Sequence, residues 1–505
     1  MTVHRFFTLL AACVLFGCAG SAVPPPTFPV NTEPTSTPRP YFSLSGPDNS
    51  TPTPSPEPED TPAPSPTPGP VFTEYRVRNG DTLGGISARF NLSVEELMKA
   101  NDLTDPHSLQ VGQVLKIPTF IEQVGSAAKF LPDSELVYGP AYKNFNIAEF
   151  LKNYPDSYLA AYVETVERKQ LSGAEILQLV AERFSVGPRA LLALLELQGR
   201  WVTTSALDGS EIAFPFGLQD GARQNLYRQA AWAANQMNAG YYGKLSGRLG
   251  VLDFTDRKRA RLAWEVNPGT AAIQNVLSKT ATWDEWQTLV SENGFRATYE
   301  KLFGSPAQYE IKRLLPKDLQ QPVLRLPLED GKLWYFTGGP HAGWIDGSPW
   351  AAVDFAPADQ AGSCWPSQYW TVAAAPGVIS SAENGRVVLD LDGDAFQGTG
   401  WALLYMHLDG EGRVEVGQTV KTNEHMGHPS CEGGFAETSH LHFARLYNGQ
   451  WMAADDKNLP LVLSGWMFSG DSQEYDGTMT RAKETRTAEN QRLEKVNDIV
   501  PDGGK

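Results

Sequence analysis

The chain has 505 residues, enough for roughly two to four domains that each bury a core of their own. Its formal net charge of −16 argues against nucleic acid as a partner, because that binding depends on neutralising phosphates with lysine and arginine. Acidity alone identifies no other partner.

Residues 1–18, "MTVHRFFTLLAACVLFGC", have the pattern of a signal peptide: a cationic start at Arg5, an apolar run, and small residues around Cys18. The stretch "LFGC" resembles the lipobox of bacterial lipoproteins. That resemblance implies cleavage before Cys18, lipidation of this cysteine, and a mature chain outside the cytoplasm, anchored by its lipid to the membrane at the cell surface. The alternatives are an ordinary secretory peptide cleaved at "CAG" and an uncleaved anchor.

Residues 19–72 consist mainly of proline, threonine and serine, as in "TPTPSPEPEDTPAPSPTPGP". This composition has almost nothing to bury and favours polyproline II, so a disordered stalk is expected. About 50 residues at ~3.1 Å each could reach ~150 Å when fully extended.

Residues 73–119 are predicted to fold as strand, helix, helix and strand. The stretches "NGDTL", "LSVEELMKAN" and "LQVGQVLKIP" resemble a LysM module. The resemblance implies binding of glycans that contain N-acetylglucosamine, such as peptidoglycan, unless this copy has lost sugar binding. The residues that would line the glycan groove are Gly80, Asp81, Thr82, Leu83, Asn101, Asp102 and Leu103.

Residues 130–315 are predicted to be helical. Ser172 and Glu175 have the spacing of a capping box, and Pro188 suits the first turn of the apolar helix "PRALLALLELQGRW". Glu196 lies late in that helix, and the arrangement is faintly similar to lysozyme-like transglycosylases, in which such a glutamate is the glycosidase acid. Leu197 replaces the serine that usually follows it, so a spacer or substrate-presenting domain is the alternative.

Six of the eight histidines lie between His341 and His442. The region 326–468 that contains them has short alternating strands with glycine-rich turns, which predicts an all-β antiparallel sandwich or barrel. In "SHLHFARL" the alternation of a strand places His440 and His442 on one face. Two histidines and a carboxylate form a common ligand set for a catalytic zinc, which keeps one position open.

Together "GGPHAGWIDGSPWAAVDFAP", "YMHL" and "HLHF" resemble the β-lytic branch of the lysostaphin-type zinc metallopeptidases, over Leu326 to Asn458. The resemblance implies one Zn²⁺ per chain and cleavage of peptide stems or cross-bridges in peptidoglycan. A metal-free regulator and a bifunctional enzyme with a glycan-cleaving helical domain are the alternatives. The implied zinc ligands are His341, Asp354 and His442, and the implied catalytic residues are His440 and His407.

Two departures from that family are visible. Asp346 lies closer to His341 than Asp354 does, but "AAVDFAP" resembles the family's ligand strand, whereas "IDGSPW" has the composition of a turn. His425 and His428 stand where relatives carry mostly glycine and apolar residues. They are predicted to be surface residues, with an additional metal ligand as the alternative.

Cys13 leaves with the signal peptide and Cys18 carries the lipid, so Cys364 and Cys431 remain. In an oxidising compartment this pair predicts one disulfide, with two buried thiols as the alternative. The segment 470–505 is charged and poor in large apolar residues, and disorder is expected there. The predicted fold class is therefore multidomain: a small α+β LysM module, a helical middle domain and an all-β antiparallel peptidase-like domain.

Overall fold

The computed structural model describes residues 71–502, apart from residues 79, 91–93, 106–107, 120–122 and 361. The predicted signal peptide, the lipidation site Cys18 and the stalk up to residue 70 lie outside the described residues. Within the described part of the chain, no helix has both the length and the apolar character needed to cross a membrane.

The first region is a two-stranded antiparallel sheet covered by two short helices. In chain order the elements are β1 (Val71–Arg76), α1 (Leu83–Arg89), α2 (Val94–Ala100) and β2 (Val114–Thr119). Alternation along β2 turns Leu115 and Ile117 to the same side, where they are buried with Leu83, Ile86 and Leu97. The predicted order of strand, helix, helix and strand is confirmed.

The middle region is mainly helical and also contains two β-hairpins, which the sequence did not predict. Its helices are α3 (Asp133–Leu136), α4 (Ile147–Leu151), α5 (Tyr158–Ala161), α6 (Gly173–Phe184), α7 (Pro188–Gly199), α8 (Leu226–Leu245), α9 (Pro268–Ser278), α10 (Trp283–Leu289) and α11 (Ala297–Phe303). The hairpins are β3 (Val163–Val166) with β4 (Lys169–Ser172), and β5 (Val251–Asp253) with β6 (Arg259–Arg261). Short 3₁₀ turns occupy Pro140–Tyr142, Gly221–Arg223 and Pro306–Tyr309, and a π turn occupies Glu292–Arg296.

Two local predictions for this region are confirmed. Ser172 and Glu175 form a capping box at the start of α6, with each side chain accepting from the other's backbone N–H. Helix α7 begins at Pro188 and is buried along nearly its whole length, as its apolar composition requires.

The third region is built around a large antiparallel sheet. Its strands are β7 (Trp334–His341), β8 (Ala352–Pro357), β9 (Thr371–Val372), β10 (Gly377–Glu383), β11 (Arg386–Asp390), β12 (Trp401–Met406), β13 (Thr419–Val420), β14 (His425–Gly427), β15 (Leu441–Tyr447), β16 (Gln450–Trp451), β17 (Val462–Leu463), β18 (Trp466–Gly470), β19 (Gly477–Arg481), β20 (Glu484–Thr487) and β21 (Asp498–Ile499). The nine-stranded sheet has the order β13-β10-β11-β12-β15-β8-β7-β21, with β16 on β15. Strands β17 to β20 form a second sheet and β9 pairs with β14.

The two faces of the nine-stranded sheet have different partners. Residues such as Phe355 and Phe443 point into the core shared with the second sheet, where Phe468 and Met479 are buried. The opposite face carries Ala444, Leu446 and Trp451, among others, and these belong to the core of the helical region. The helical region and the sheet are therefore joined by one continuous apolar core.

The expectation of a disordered tail from residue 470 is wrong as far as residue 502. Strand β21 pairs with β7, and Met479 and Ile499 are buried although the segment has few apolar residues. The buried Asn497 donates from its side-chain amide to the carbonyls of Phe336 and Gln491. The prediction from composition was wrong because this segment does not form a core of its own. Its few apolar residues add to the core that the preceding strands already form.

Candidate metal centre

Neighbouring strands of the large sheet bring the implied metal ligands and catalytic histidines together. His341 ends β7, Asp354 lies in β8, His442 lies in β15 and His407 directly follows β12. Register places His442 opposite Asp354 on one side and opposite Met406 on the other. The four strands are adjacent, so residues up to 101 positions apart along the chain (His341 and His442) meet at one end of the sheet.

The backbone is adapted to this convergence at two positions. Strand β7 has two irregularities between Phe336 and His341, and a Cβ on Gly338 would lie 2.7 Å from Asp354 Oδ2, so only glycine lets the carboxylate approach. His407 has a left-handed backbone (φ 69°), which is uncommon for a residue with a Cβ and turns the chain sharply out of β12.

Three ligand atoms lie almost equidistant from one another. His341 Nε2 and His442 Nδ1 are 3.0 Å apart, and each is 3.3 Å from Asp354 Oδ1. Ligand atoms ~2.0–2.1 Å from a zinc ion at tetrahedral angles would lie roughly 3.3 Å apart. The spacing of the three atoms therefore matches one face of a tetrahedral zinc site.

The hydrogen bonds behind the two imidazoles determine which nitrogen atoms carry protons. His341 Nδ1 lies 2.8 Å from the carbonyl of Gly339 and His442 Nε2 lies 3.0 Å from the carbonyl of Gly343. A carbonyl only accepts, so these nitrogens donate, and neutral imidazoles then direct their lone pairs at each other. Asp354 Oδ1 is buried and accepts no hydrogen bond among the described residues. Two lone pairs and an unsatisfied carboxylate oxygen that converge on one point are stabilised by a cation between them. His341, Asp354 and His442 therefore fit a metal ion as its ligands.

The charges of the cluster follow from its burial. Burial raises the pKa of Asp354, but His341 and His440 outweigh this and hold it well below its usual range. Burial lowers the pKa of His341, but the Asp354 carboxylate outweighs it and leaves that pKa raised. Burial dominates at His442, whose pKa is lowered. The low pKa of Asp354 keeps this carboxylate charged at neutral pH.

His407 and His440 lie beside the ligand cluster as a second pair. Their ring centroids are 4.5 Å apart, and His440 Nε2 is 3.9 Å from Asp354 Oδ2. His407 Nδ1 donates to the carbonyl of Glu432 and His440 Nδ1 to that of Thr438, so the neutral tautomer of either ring has its lone pair on Nε2. Burial, followed by the neighbouring His440 and His442, holds the pKa of His407 well below its usual range. At neutral pH His407 is therefore a neutral base.

One residue beside the cluster was not foreseen from the sequence. Tyr475 stacks on His341 with ring centroids 4.1 Å apart, and its carbonyl accepts from the N–H of Gly339. The preceding Glu474 is exposed, and the charge of its carboxylate acts on His341. Both lie in the segment expected to be disordered; the signal that could have identified them was "EYDG", a glutamate and an aromatic residue before a turn.

The other acidic and histidine candidates lie elsewhere. Asp346 Oδ1 accepts a hydrogen bond from Asn235 of α8, 2.7 Å away, so it contacts the helical region instead of the cluster. His425 stacks on Trp370 with ring centroids 4.3 Å apart, and the His428 ring packs against Trp370 at a tilt of 41° with centroids 3.7 Å apart. The structure thus groups Asp354, and not Asp346, with His341 and His442.

The predicted disulfide is confirmed: Cys364 and Cys431 are bonded. It ties the loop after β8 to the loop before β15. Ser439, next to His440, donates from its backbone to the carbonyl of Ser363 and from its hydroxyl to that of Trp365. These bonds position the segment that carries His440.

The residues predicted to bind glycan are divided by the structure into exposed and buried groups. Gly80, Thr82 and Asp102 are exposed. Leu83 lies in the small core. The Asn101 side chain exchanges hydrogen bonds with the backbone of Lys116 in β2. Of the remaining two, Asp81 Oδ2 accepts from Tyr75 and from the N–H of Arg78, and Leu103 is half-buried.

Glu196, the candidate glycosidase acid, has a different environment. It is 8% exposed, and its Oε2 accepts from the backbone N–H groups of Val202 and Thr203 at 2.9 and 3.1 Å. Its Oε1 accepts from the Thr203 hydroxyl. These partners all come from the turn that follows α7, so the carboxylate holds that turn in place.

Fold and site together define a chain with a small α+β module, a helical domain, and a β-sheet domain that carries a His/Asp constellation of the kind that holds a divalent metal. Residues 75–118 match the family model described as "LysM domain", and residues 129–317 match "LasA, N-terminal domain". The chain thus contains both domains. The helical region, where the sequence is faintly similar to lysozyme-like transglycosylases, is a LasA N-terminal domain.

Protease LasA of Pseudomonas aeruginosa is 26% identical over 348 residues, which is 66% of this chain and 77% of that protein. N-acetylmuramoyl-L-alanine amidase XlyB of Bacillus subtilis is 46% identical over 57 residues, 11% of this chain and 17% of that protein. Among solved structures, the M23 metalloprotease pseudoalterin is 24% identical, covering 33% of this chain and 96% of its own, with a TM-score of 0.28. The catalytic domain of lysostaphin from Staphylococcus simulans is 25% identical, covering 24% and 87%, with a TM-score of 0.17.

Proposed function

We propose that this chain is a zinc endopeptidase that cleaves peptide stems or cross-bridges of peptidoglycan. The observation that carries the proposal is the convergence of two imidazole lone pairs and an unsatisfied carboxylate oxygen, with neutral histidine next to them. His341, Asp354 and His442 would hold the ion. The similarity to protease LasA supports a peptidase, since it extends over 348 residues.

The roles of the remaining groups follow from their protonation. When bound, zinc lowers the pKa of a water molecule towards neutrality and polarises the scissile carbonyl group. His407 and His440 present Nε2 lone pairs, so one of them accepts the water proton and delivers it to the leaving amine. The resulting imidazolium hydrogen-bonds the developing oxyanion. Gly339 and Gly343 keep the ligand imidazoles in the tautomers that bind metal.

The LysM domain supports peptidoglycan as the substrate. Modules of this family bind glycans that contain N-acetylglucosamine, and the exposed Gly80, Thr82 and Asp102 are the part of the predicted groove that a ligand can reach. Binding of the glycan strand raises the effective concentration of its stem peptides near the metal centre.

The remaining organisation is part of the same proposal. A signal peptide at 1–18, a lipid on Cys18 and a stalk at 19–72 would attach the enzyme to the membrane at the cell surface. The domains would extend over 73–119 for LysM, 130–315 for the helical domain and 326–468 for the peptidase domain, to which the strands up to residue 499 are added.

The experiment is a metal analysis coupled to a digest. Protein purified without chelators should contain one zinc per chain and release peptides from purified peptidoglycan, resolved by liquid chromatography and mass spectrometry. Chelation should abolish release and zinc should restore it. A chain that binds no zinc and releases no peptide from any peptidoglycan would be a metal-free regulator, and the peptidase proposal would fail.

A further inference from the structure

A cavity of about 500 Å³ lies where the helical domain meets the sheet domain. Its helical side is formed by α4, the β3–β4 hairpin and α6. Its sheet side is formed by the turn after β10 together with Arg413 and Glu432. Cavities of ~300–1,000 Å³ at domain boundaries are the usual dimensions and place of sites for small ligands.

The two sides of the cavity are held together by a buried arginine. Arg183 of α6 is 4% exposed and donates to both oxygens of Glu167, at 2.8 Å each, and to Glu383 of β10 at 3.1 Å. One guanidinium thus fixes a carboxylate from each domain. The cavity walls are therefore set before any ligand arrives.

The polar lining has more hydrogen-bond acceptors than donors. It carries five carboxylates, from Glu167, Glu175, Glu182, Glu383 and Glu432, against two basic side chains, Lys169 and Arg413. Arg183 occupies two of those carboxylates, and Arg413 pairs with Glu432 at 2.9 Å. Lys169 in the lining and Arg386 of β11, which acts on Glu182 and Glu383, offset part of the remaining charge, so the five carboxylates outnumber the four neighbouring cations by one.

Gln178 holds the carboxylate of Glu182. Its Nε2 donates to Glu182 Oε1 at 2.7 Å and to the Tyr138 hydroxyl at 2.8 Å. Its Oε1 is buried and has no hydrogen-bond partner among the described residues. This oxygen has no accessible surface, so a ligand in the cavity does not contact it, and Gln178 acts on the cavity through the Nε2 that holds Glu182.

The cavity also shares a residue with the candidate active site. Glu432 lines the cavity, and its carbonyl accepts the hydrogen bond from His407 Nδ1 that keeps the Nε2 lone pair free. The Glu432 side chain is bound to the N–H of Gly385 and to Arg413. A ligand in this cavity therefore lies against the loop that holds the catalytic histidine.

We propose that the cavity binds the side-chain ammonium group of a diamino acid in the stem peptide, with Glu182 as the acceptor and Gln178 holding that carboxylate in place. The proposal rests on the peptidoglycan substrate proposed above. An ammonium group supplies a positive charge and three N–H donors, which are what the lining lacks. An anionic ligand would meet Glu175 and Glu182, and Arg413, one of the two basic side chains in the lining, is already paired with Glu432. The helical domain then contributes to substrate recognition.

Calorimetric titration of the full chain tests the site independently of turnover. The probes are a synthetic stem tetrapeptide that contains lysine and its Nε-acetylated analogue, with mass spectrometry to verify that both stay intact. Wild-type protein should bind the free amine at least ~10-fold more tightly, because acetylation removes the charge and two donors. Equal affinity for the two peptides would overturn the proposal.

Variants locate the preference in the cavity. Glu182→Gln keeps an acceptor but loses the charge, and Ala148→Trp fills the cavity from an exposed position of α4; both should lose the preference for the free amine. Glu149→Gln is the matched control, since this carboxylate of α4 pairs with Lys152 outside the cavity and should keep the preference. Folded Glu182→Gln and Ala148→Trp proteins that both retain it would also overturn the proposal.

Kinetics separate this inference from the proposed function. On peptidoglycan with free amines, Glu182→Gln should raise KM without lowering kcat, whereas a structural defect would lower kcat as well. Wild-type protein that hydrolyses free-amine and acetylated peptidoglycan with equal kcat/KM would refute the cavity proposal and leave the peptidase intact. Wild-type protein that prefers the free-amine peptide but hydrolyses nothing would support the cavity and refute the peptidase.

Discussion

Asp354 in the sheet domain and Glu196 in the helical domain are both buried carboxylates, 7% and 8% exposed, and both are candidates from the sequence. Donors of the adjacent turn satisfy Glu196 on both oxygens. Asp354 Oδ1 has no donor in the described part of the chain and faces the lone pairs of two imidazoles. Burial alone therefore does not distinguish a functional carboxylate from a structural one; the charge and proton content of its neighbours do.

The largest expected effect comes from removing a metal ligand. Asp354→Asn should lower metal content and activity together, by more than the ~10–100-fold typical of residues that only support a ligand, because one of three protein ligands is lost. His341→Ala and His442→Ala should behave in the same way. Zinc analysis and peptide release measure both effects.

Asp346→Asn is the matched control for Asp354→Asn. It removes a carboxylate that contacts Asn235, so zinc and activity should stay close to the wild type. Loss of zinc in Asp346→Asn together with its retention in Asp354→Asn would exchange the two assignments and leave the enzyme class unchanged.

Removing the second pair of histidines should separate metal binding from catalysis. His407→Ala and His440→Ala should keep zinc but lose activity by about 10²–10⁴-fold, the usual contribution of a positioned acid or base. His428→Ala, which changes a ring stacked on Trp370, should keep both. If His407→Ala or His440→Ala also lost its zinc, that histidine would be a ligand and the separation of roles would be wrong.

Glu196→Gln tests the structural carboxylate of the comparison, and its effect on activity should be small. The variant should degrade peptidoglycan at nearly the wild-type rate, but its free energy of unfolding should fall by about 1–3 kcal/mol, because a buried set of hydrogen bonds is weakened. Urea titration and muropeptide analysis measure the two quantities. Glycan-strand cleavage that is present in the wild type and absent in this variant would show a bifunctional enzyme.

The smallest expected effect is a pH dependence of stability in metal-free protein. The pKa of His407 is depressed in the folded state and is about 6.5 in an unfolded chain. The unfolded chain therefore takes up the proton first, so the contribution of His407 to stability is present above about pH 6.5 and is lost as the pH falls. The fall in urea midpoint from pH 7 to pH 5 should be larger for the wild type than for His407→Asn. Equal falls in the two proteins would show that folding does not lower the pKa of His407.

Local sequence patterns determined much of this protein. The strand–helix–helix–strand order, the capping box at Ser172, the start of α7 at Pro188 and the strand that carries His442 all follow from the chemistry of neighbouring residues. The Cys364–Cys431 bond is the pairing that the sequence predicted.

The tertiary structure decided the features that depend on residues far apart in the chain. Asp354 rather than Asp346 meets His341 and His442 because β8 pairs with both β7 and β15, while the turn with Asp346 packs on α8. The segment with Tyr475 is ordered because β21 pairs with β7 and its few apolar residues enter an existing core. Glu196 is satisfied by donors six and seven residues away, whose positions depend on how the chain turns after α7. The cavity at Glu182 exists only because two domains share one core, and no local pattern encodes which surfaces meet across it.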